Sequence, residues 1–356
     1  MKLVRFSCTT GLWVLAEFNL QPINLLVGKN AVGKSKTIES IYDAVSYILQ
    51  QKELEQYFAC VLLFEDGTEH ISYSFEYEGD TIVKEELAVS DEAGNINLLL
   101  DRQNGKTLLH GEMINPPQNK LTLHVRRDTV QYPYIEKIVS WAERVCGQRF
   151  NEIDLGGDGN KFSYMSQRDD NLFEMVKAMP EEVLRHVIEQ ANALEYPLEK
   201  IVPYENGDIK KLFFYEIDVP RALLDFQLSK GMFRTLHLLI YMEYLAYRNN
   251  PSLLLIDDVC EGLDYARSTK LGKLLFEFCL QHNIQLIASS NDSFLMDVVD
   301  LKYWNILERD GSVVNSINIE NNRELFESFG FTGLSNFDFF SSDYIARHAI
   351  KRVGDE

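Results

Sequence analysis

The chain has 356 residues, 46% of them hydrophobic, which is enough to build the core of one large domain or two ordinary ones. It carries 54 acidic against 35 basic side chains, a formal net charge of −19. A surface this negative repels phosphate backbones on average, so broad non-specific nucleic-acid binding is disfavoured, although a local basic stripe remains compatible with the charge. Five cysteines without CxxC spacing indicate neither a zinc site nor a disulfide framework. With no signal-peptide core and no membrane-length apolar run, we expect a cytoplasmic protein without membrane contact.

The first fifty residues predict three strands and a helix. "KLVRFSC" and "LWVLAEFNL" are typical of two strands joined by a Thr-Gly turn, and "INLLVG" of a third, fully apolar strand. "KSKTIESIYDAVSYILQ" then has helical spacing.

The middle of the chain predicts an antiparallel region over 57–125, with hairpins around Gly-Asp and Asn-Gly turns. Two helices, "YIEKIVSWAERV" and "EEVLRHVIEQANALEY", come before another Asn-Gly hairpin, "KIVPYENGDIKKLFFYEI". From residue 228 the pattern becomes helix, strand, helix, strand, which is the alternation of a parallel sheet.

The segment between the third strand and the first helix fits the pattern GxxxxGK[ST]. Gly28 and Gly33 let the backbone bend closely around a phosphate, and loop N–H groups with the helix N-terminus supply donors. Lys34 would reach the β- and γ-phosphates, and the Ser35 hydroxyl would bind Mg²⁺. The residues that we predict to line this phosphate site are Gly28, Lys29, Asn30, Ala31, Val32, Gly33, Lys34, Ser35, Lys36 and Thr37.

A second buried strand supplies carboxylates. "SLLLIDD" ends in Asp257, which fits a Mg²⁺ ligand, and Asp258, which fits the general base that polarises the attacking water. Farther upstream, "LSKG" opens a helix. Ser229 is typical of an N-cap, and Ser229 with Gly231 at a helix N-terminus also makes an anion site, which we expect to serve a partner's ATP.

Together these residues resemble the ABC-class ATPases, in the branch of RecF-like, OLD-like and structural-maintenance-of-chromosomes (SMC) proteins. The resemblance rests on the P-loop, on "LSKGMFR" as the signature, on "LLLIDD" as Walker B, on "EGLD" as a D-loop ending in Asp264, and on "IASSND" as the switch loop. It implies an α/β ATPase head with an antiparallel β lobe and a mixed α/β insertion. It also implies ATP and Mg²⁺ as cofactors and a head-to-head homodimer with two composite sites.

The resemblance divides the chain into three parts. We expect one discontinuous ATPase core over 1–50 and 221–320, an insertion lobe over 51–220, and a helical tail over 321–356 that packs in the core or contacts a partner. Lys34 and Ser229 are separated by 194 residues (229 − 34 − 1), already filled by hairpins and short helices. A long coiled-coil arm is therefore not expected.

Three departures from the family pattern bear on catalysis. The family's catalytic Glu is Asp258 here, its switch His is Asn291, and Val259 and Cys260 replace a Pro and Glu that often follow the acid pair. These changes predict slow hydrolysis and leave ATP binding intact. The glutamine that senses Mg²⁺ in the family is assigned to Gln131, with Gln118 as the second choice.

The function that the resemblance implies is an ATP-gated dimeric switch that holds or releases a separate effector protein, as in ATPase components of bacterial anti-phage defence systems. The alternatives are a RecF-like DNA-repair ATPase, a nucleotide-binding scaffold with negligible turnover, and a transporter's nucleotide-binding subunit. Transporter subunits usually have Gln after the signature Gly, where this chain has Met232.

Overall fold

The computed structural model describes residues 1–54, 56–149, 164–165, 172–249, 251–341 and 344. The strands in chain order are β1 (Lys2–Thr10), β2 (Trp13–Asn19), β3 (Ile23–Val27), β4 (Tyr57–Asp66), β5 (Glu69–Glu78), β6 (Thr81–Ser90), β7 (Ile96–Gln103), β8 (Lys106–Leu109), β9 (Glu112–Ile114), β10 (Val145–Arg149), β11 (Tyr164–Met165), β12 (Leu198–Asn206), β13 (Ile209–Glu216), β14 (Leu223–Leu224), β15 (Leu253–Asp257), β16 (Gln285–Ser289), β17 (Trp304–Asp310) and β18 (Val313–Ile317). The helices are α1 (Lys34–Ile48), α2 (Thr122–Val125), α3 (Pro133–Ala142), α4 (Leu172–Ala178), α5 (Glu181–Ala193), α6 (Lys230–Asn249), α7 (Tyr265–Gln281), α8 (Ser293–Val298), α9 (Arg323–Gly330) and α10 (Asn336–Ser341).

The chain divides into two compact units. The first contains Met1–Val145 and Leu301–Leu334, and the second contains Cys146–Asp300 together with α10. Each unit is therefore built from segments that are not contiguous in sequence. The P-loop motif belongs to the first unit, and the "LSKG" and "LLLIDD" motifs belong to the second.

The first unit is built on a long, mostly antiparallel sheet with the strand order β3-β17-β18-β2-β1-β4-β5-β6-β7-β8-β9. Two pairs in it are parallel, β17 with β3 and β18 with β2. The strands from β4 to β9 pair antiparallel through successive hairpins. The predicted antiparallel region is confirmed as far as Ile114; the remaining residues to 125 form a loop and the short helix α2.

The inner face of this sheet is apolar. Successive side chains along a strand point to opposite faces, and the residues that point inward are hydrophobic. In β4 the buried positions are Phe58, Cys60, Leu62 and Phe64. Helix α1 covers this face, and its Tyr47 ring lies 5.0 Å from the ring of Phe58. The packing fixes the direction of α1, whose first residue is the P-loop lysine.

The second unit contains a parallel strand pair, β15 with β16, flanked by β10 next to β15. All five residues of β15 and of β16 are buried, as expected for strands covered on both faces. A separate three-stranded sheet has the order β12-β13-β14. The predicted parallel pairing, the Asn-Gly hairpin of β12 and β13, and the mixed α/β fold class are confirmed.

The C-terminal region contributes buried aromatic side chains to each unit, from α9 to the first and from α10 to the second. Phe326 and Phe329 on α9 and Phe339 on α10 are buried, whereas Phe331 is exposed. Residues 342–343 and 345–356 of the predicted tail lie outside the described residues. Among the helices that the structure describes, none is long and apolar enough to cross a membrane.

Candidate nucleotide-binding site

The P-loop motif forms a tight turn from the end of β3 to the start of α1. A Cβ atom on Gly28 would lie 2.7 Å from Val32 Cγ1 and 3.0 Å from the Leu307 carbonyl oxygen, so only glycine fits there without movement. Gly33 caps the helix with φ of 117°, a conformation that L side chains rarely adopt. The two motif glycines are thus required by the packing and by the backbone of this loop.

The lysine of the motif lies within the loop. The Lys34 side chain is only 6% exposed, and its Nζ donates to the carbonyl oxygens of Gly28 at 2.8 Å and Lys29 at 3.3 Å. Carbonyl dipoles therefore hold a buried cation at the base of the loop. This is the group whose charge would offset that of a triphosphate.

The other predicted loop residues differ in exposure. Asn30, Ala31 and Ser35 are exposed, and Val32 is buried. In the first turn of α1, the Lys36 ammonium lies 3.6 Å from the Glu39 carboxylate. The buried Thr37 hydroxyl donates to the Gly33 carbonyl at 2.9 Å, so it supports the helix start.

An arginine that sequence reasoning missed lies beside the loop. Arg309 Nη1 is 3.5 Å from the Ala31 carbonyl oxygen, and its Nε donates to the Gly311 carbonyl at 2.8 Å. Ala31 has φ of 64°, which is unusual for a residue other than glycine. Arg309 and Ala31 are 278 residues apart in sequence, and no local pattern connects them.

In the second unit, the carboxylate pair follows β15. Asp257 is buried, and its Oδ1 accepts a hydrogen bond from the Ser289 hydroxyl at the end of β16. The Ser289 oxygen also accepts the Asp258 backbone N–H at 2.8 Å. Asp258 has φ of 57°, so the chain turns sharply directly after Asp257.

Two residues that we predict to be catalytic lie together in this unit. Asn291 Nδ2 donates to Asp258 Oδ1 at 3.4 Å. The loop after β16 is tied to the loop after β15, because the Ser290 hydroxyl donates to the Val259 carbonyl at 3.0 Å. Asp292 then caps α8 by accepting the Leu295 N–H at 2.7 Å.

The signature and D-loop residues are also neighbours. Ser229 precedes α6, and its hydroxyl accepts the Met232 N–H at 3.2 Å, which confirms the predicted N-cap. A Cβ on Gly231 would lie 3.2 Å from Leu263 Cδ2, so the N-terminus of α6 packs directly on the D-loop. Asp264 caps α7, and the backbone hydrogen bond from Arg267 lowers the pKa of its carboxyl.

The two glutamines proposed as Mg²⁺ sensors lie in turns of the first unit. Gln131 is exposed, and its backbone N–H donates to Asp128 at 2.8 Å. Gln118 is also exposed, and its carbonyl accepts the Ile82 N–H at 2.8 Å. The polar contacts of both residues thus involve their backbone atoms.

A third glutamine, which sequence reasoning passed over, is buried in the second unit. Gln148 lies on β10, the strand beside the one that ends in Asp257. Its Nε2 is 2.6 Å from Nδ1 of His237 on α6. Burial lowers the pKa of His237 to about 3, so the imidazole is neutral and Nδ1 accepts from the Gln148 amide. This bond joins the signature helix to the sheet.

No family model matches the chain, and no curated protein matches it. Among solved structures, the chain is similar to an SMC head bound to the C-winged helix domain of ScpA, with 11% identity and a TM-score of 0.52 over 91% of this chain and 100% of that one. The fold is that of an SMC head. The chain is also similar to the SMC head domain of Thermotoga maritima, with 14% identity and a TM-score of 0.48 over 89% of this chain and 99% of that one. A third similar structure is cbiO1 of Clostridium perfringens, part of an ABC transporter complex, with 11% identity and a TM-score of 0.40 over 94% of this chain and 96% of that one. The predicted mixed α/β fold with an antiparallel β lobe is confirmed.

Proposed function

We propose that the chain binds ATP with Mg²⁺, hydrolyses it slowly, and uses the bound nucleotide to hold two copies of itself together. The observation that supports this most strongly is the P-loop turn. A buried Lys34 ammonium lies against the Gly28 carbonyl, and Gly28 has no room for a side chain. A glycine-bounded loop between a buried strand and a helix N-terminus is the standard way to bind a triphosphate.

We propose Ser35 and Asp257 as magnesium ligands from the chemistry of their side chains. Mg²⁺ prefers oxygen ligands, and Ser35 and Asp257 offer a hydroxyl and a carboxylate. The Ser289 hydroxyl bonds to one oxygen of Asp257, which fixes the orientation of a buried carboxylate at the end of β15. When bound, the ion would neutralise charge on the phosphates. We keep Gln131 as the proposed additional ligand.

We assign Asp258 as the general base and Asn291 as the group that contacts the γ-phosphate. Their hydrogen bond supports a common role for the two side chains. Asp is one methylene shorter than the family's Glu, and an amide cannot carry the charge of an imidazolium. Turnover is therefore slow, and the ATP-bound form is long-lived.

The N-terminus of α6 is assigned to the nucleotide of a second copy. Ser229 and Gly231 start this helix beside the D-loop residue Leu263, and a helix N-terminus attracts phosphate. ATP then joins two copies, and hydrolysis separates them.

The ATP-dependent dimer would hold or release a separate effector protein, as in bacterial anti-phage defence. The resemblance of the motifs carries this part of the proposal. The similar SMC head, which is bound to a domain of another protein, supports it. A scaffold with negligible turnover is the second candidate, and the replacement of Glu and His by Asp258 and Asn291 favours it.

The test of ATP binding is Lys34→Ala in isothermal titration calorimetry with ATP and Mg²⁺. Removing a charge-assisted contact of about 1.5–3 kcal/mol should weaken ATP binding by about tenfold or more. Lys106→Ala is the matched control, because Lys106 is exposed on β8 and lies outside the predicted phosphate site. Unchanged affinity in Lys34→Ala would refute the P-loop assignment.

A further inference from the structure

The outer face of strands β7–β9 carries apolar side chains that are open to solvent. The side chains in question are Ile96 (76% exposed), Leu98 (49%), Leu108 (38%) and Met113 (65%). We refer to these four residues as the outer-face patch. Scattered exposed apolar residues are ordinary, but several on one sheet face indicate an interaction surface.

Strand register places the four side chains on the same face. Ile96 pairs with Ser90 and Leu98 with Ala88 on β6, while Leu108 pairs with Met113 across β8 and β9. Their neighbours on β7 and β8, Leu100 and Leu109, are buried on the opposite face. The pairing register shifts between Leu87 and Ala88, so Leu98 and Leu100 lie on opposite faces although they are two residues apart, and the patch is separate from the core.

An acidic pair lies within the outer-face patch. Asp101 on β7 is directly opposite Glu86 on β6 and directly opposite Leu108 on β8. Like charges at directly opposed positions destabilise a sheet. The Glu86 carboxylate pairs with the Lys84 ammonium at 2.5 Å.

One oxygen of this pair lacks a hydrogen-bond donor. Asp101 Oδ1 is buried and has no hydrogen-bond partner among the described residues, while Oδ2 accepts from Gln103 Nε2 at 3.3 Å. A shielded carboxylate oxygen without a donor is uncommon in folded proteins. A cation brought to this face would offset the repulsion between Asp101 and Glu86.

The charge around the outer-face patch favours a basic partner over a second copy of the chain. Asp91 and Glu92 are exposed in the turn between β6 and β7, Lys106 is exposed on β8, and the chain as a whole carries a net charge of −19. Two copies of so acidic a chain repel each other on average, whereas a basic partner is attracted. The edge strand β9 has only three residues, which blunts pairing at the edge, so the face is the docking surface.

We propose that the outer-face patch docks a basic segment of a separate protein. Apolar side chains of that segment cover Leu98, Leu108 and Met113, and a lysine or arginine reaches Asp101. The inference rests on the proposed function only in identifying this partner with the effector. The surface itself does not depend on nucleotide.

The test uses the full chain without nucleotide, so it is independent of whether ATP binds. The probe is a short synthetic peptide that alternates lysine with valine, titrated in a calorimeter. A peptide that alternates lysine with serine has the same charge without apolar side chains. We expect the lysine–valine peptide to bind, and the lysine–serine peptide to bind about tenfold more weakly, since anchor side chains carry most interface energy.

Variants locate the binding. Asp101→Asn and Met113→Ser should each lower the affinity for the lysine–valine peptide by about tenfold. Asp101→Asn should leave the protein at least as resistant to urea, because it removes a like-charge pair and keeps the side-chain shape. Leu12→Ser is the matched control, since Leu12 is 90% exposed on the turn between β1 and β2, and it should bind as wild type does.

Three results would overturn the proposal. The first is no saturable binding of the lysine–valine peptide to the wild-type chain. The second is equal affinity for the lysine–serine peptide, which would mean that the overall charge alone attracts it. The third is an equal loss of affinity in Leu12→Ser and Met113→Ser.

Discussion

Gly28→Ala perturbs the P-loop at the position where the structure leaves least room. The added Cβ would lie 2.7 Å from Val32 Cγ1 and 3.0 Å from the carbonyl oxygen of Leu307 on β17. Val32 is β-branched and buried, and the carbonyl belongs to a strand that pairs with β3. Neither neighbour can move cheaply, so the loop backbone must shift.

The expected cost follows from this contact. Overpacking of a close-packed site typically costs about 1–3 kcal/mol, and we expect the free energy of unfolding to fall by that amount. The same shift would move the Gly28 carbonyl, which holds the Lys34 ammonium at 2.8 Å. ATP affinity should therefore fall by about tenfold or more, equivalent to about 1.4 kcal/mol.

Urea unfolding followed by circular dichroism measures the first effect, and calorimetry with ATP and Mg²⁺ measures the second. Gly11→Ala is the matched control, because a Cβ there meets no atom within 4 Å; we expect a change within about 0.5 kcal/mol. Adding Val32→Ala to Gly28→Ala removes the shorter contact and should recover part of the stability. If Gly28→Ala is as stable as wild type and binds ATP equally well, the loop packing described above is wrong.

Three further changes probe other parts of the molecule. Ser229→Arg should leave ATP binding intact and block ATP-driven dimerisation, because a bulky guanidinium replaces the proposed phosphate contact. Light scattering with a non-hydrolysable ATP analogue measures the dimer. If the variant dimerises normally, Ser229 serves only as the N-cap of α6. General-base assistance is worth about 10²–10⁴ in rate, so with a short base we expect wild-type turnover on the order of one per minute or less. Asp258→Asn should lower the turnover rate further and leave the ATP affinity unchanged. If the variant hydrolyses ATP as fast as wild type, the general base is another residue. Burial raises the pKa of Glu85 above its ordinary 4.5 despite hydrogen bonds from Thr122. The folded state then binds more protons than the unfolded state just above pH 4.5, so the free energy of unfolding falls with rising pH in that window. Glu85→Gln should flatten this slope in urea titrations, and an unchanged slope would assign it to other groups.

The strands and turns were predictable because their signals are local. Alternation of buried and exposed residues marks β4 and β5, and the Asn104-Gly105 turn provides two residues with positive φ for the hairpin between β7 and β8. Such turns fix the register of the strands that they join. The short helix α2 was not predicted, because its start depends on a distant residue: Glu85 accepts the backbone N–H and the hydroxyl of Thr122, 37 residues away.

The candidate site was predictable where a motif is continuous in sequence. The P-loop, the signature and the acid pair are each short segments whose backbone and side chains act together. The Ser229 cap and the bond between Asp258 and Asn291 agree with those predictions. Two contacts were missed: the one between Arg309 and the Ala31 carbonyl, and the hydrogen bond from Ser289 to Asp257. Each joins strands or loops from different parts of the chain.

The sequence by itself determined the P-loop, the order of the motifs and the local strands and helices, since these depend on neighbours within a few residues. Only the tertiary structure decided that β17 and β18 lie between β3 and β2, and that Asp101 faces Glu86 within an exposed apolar patch. The physical reason is that a sheet is held by hydrogen bonds between strands that are remote in sequence. Which side chains meet across it depends on register, and a shift of one residue would move every side chain to the other face.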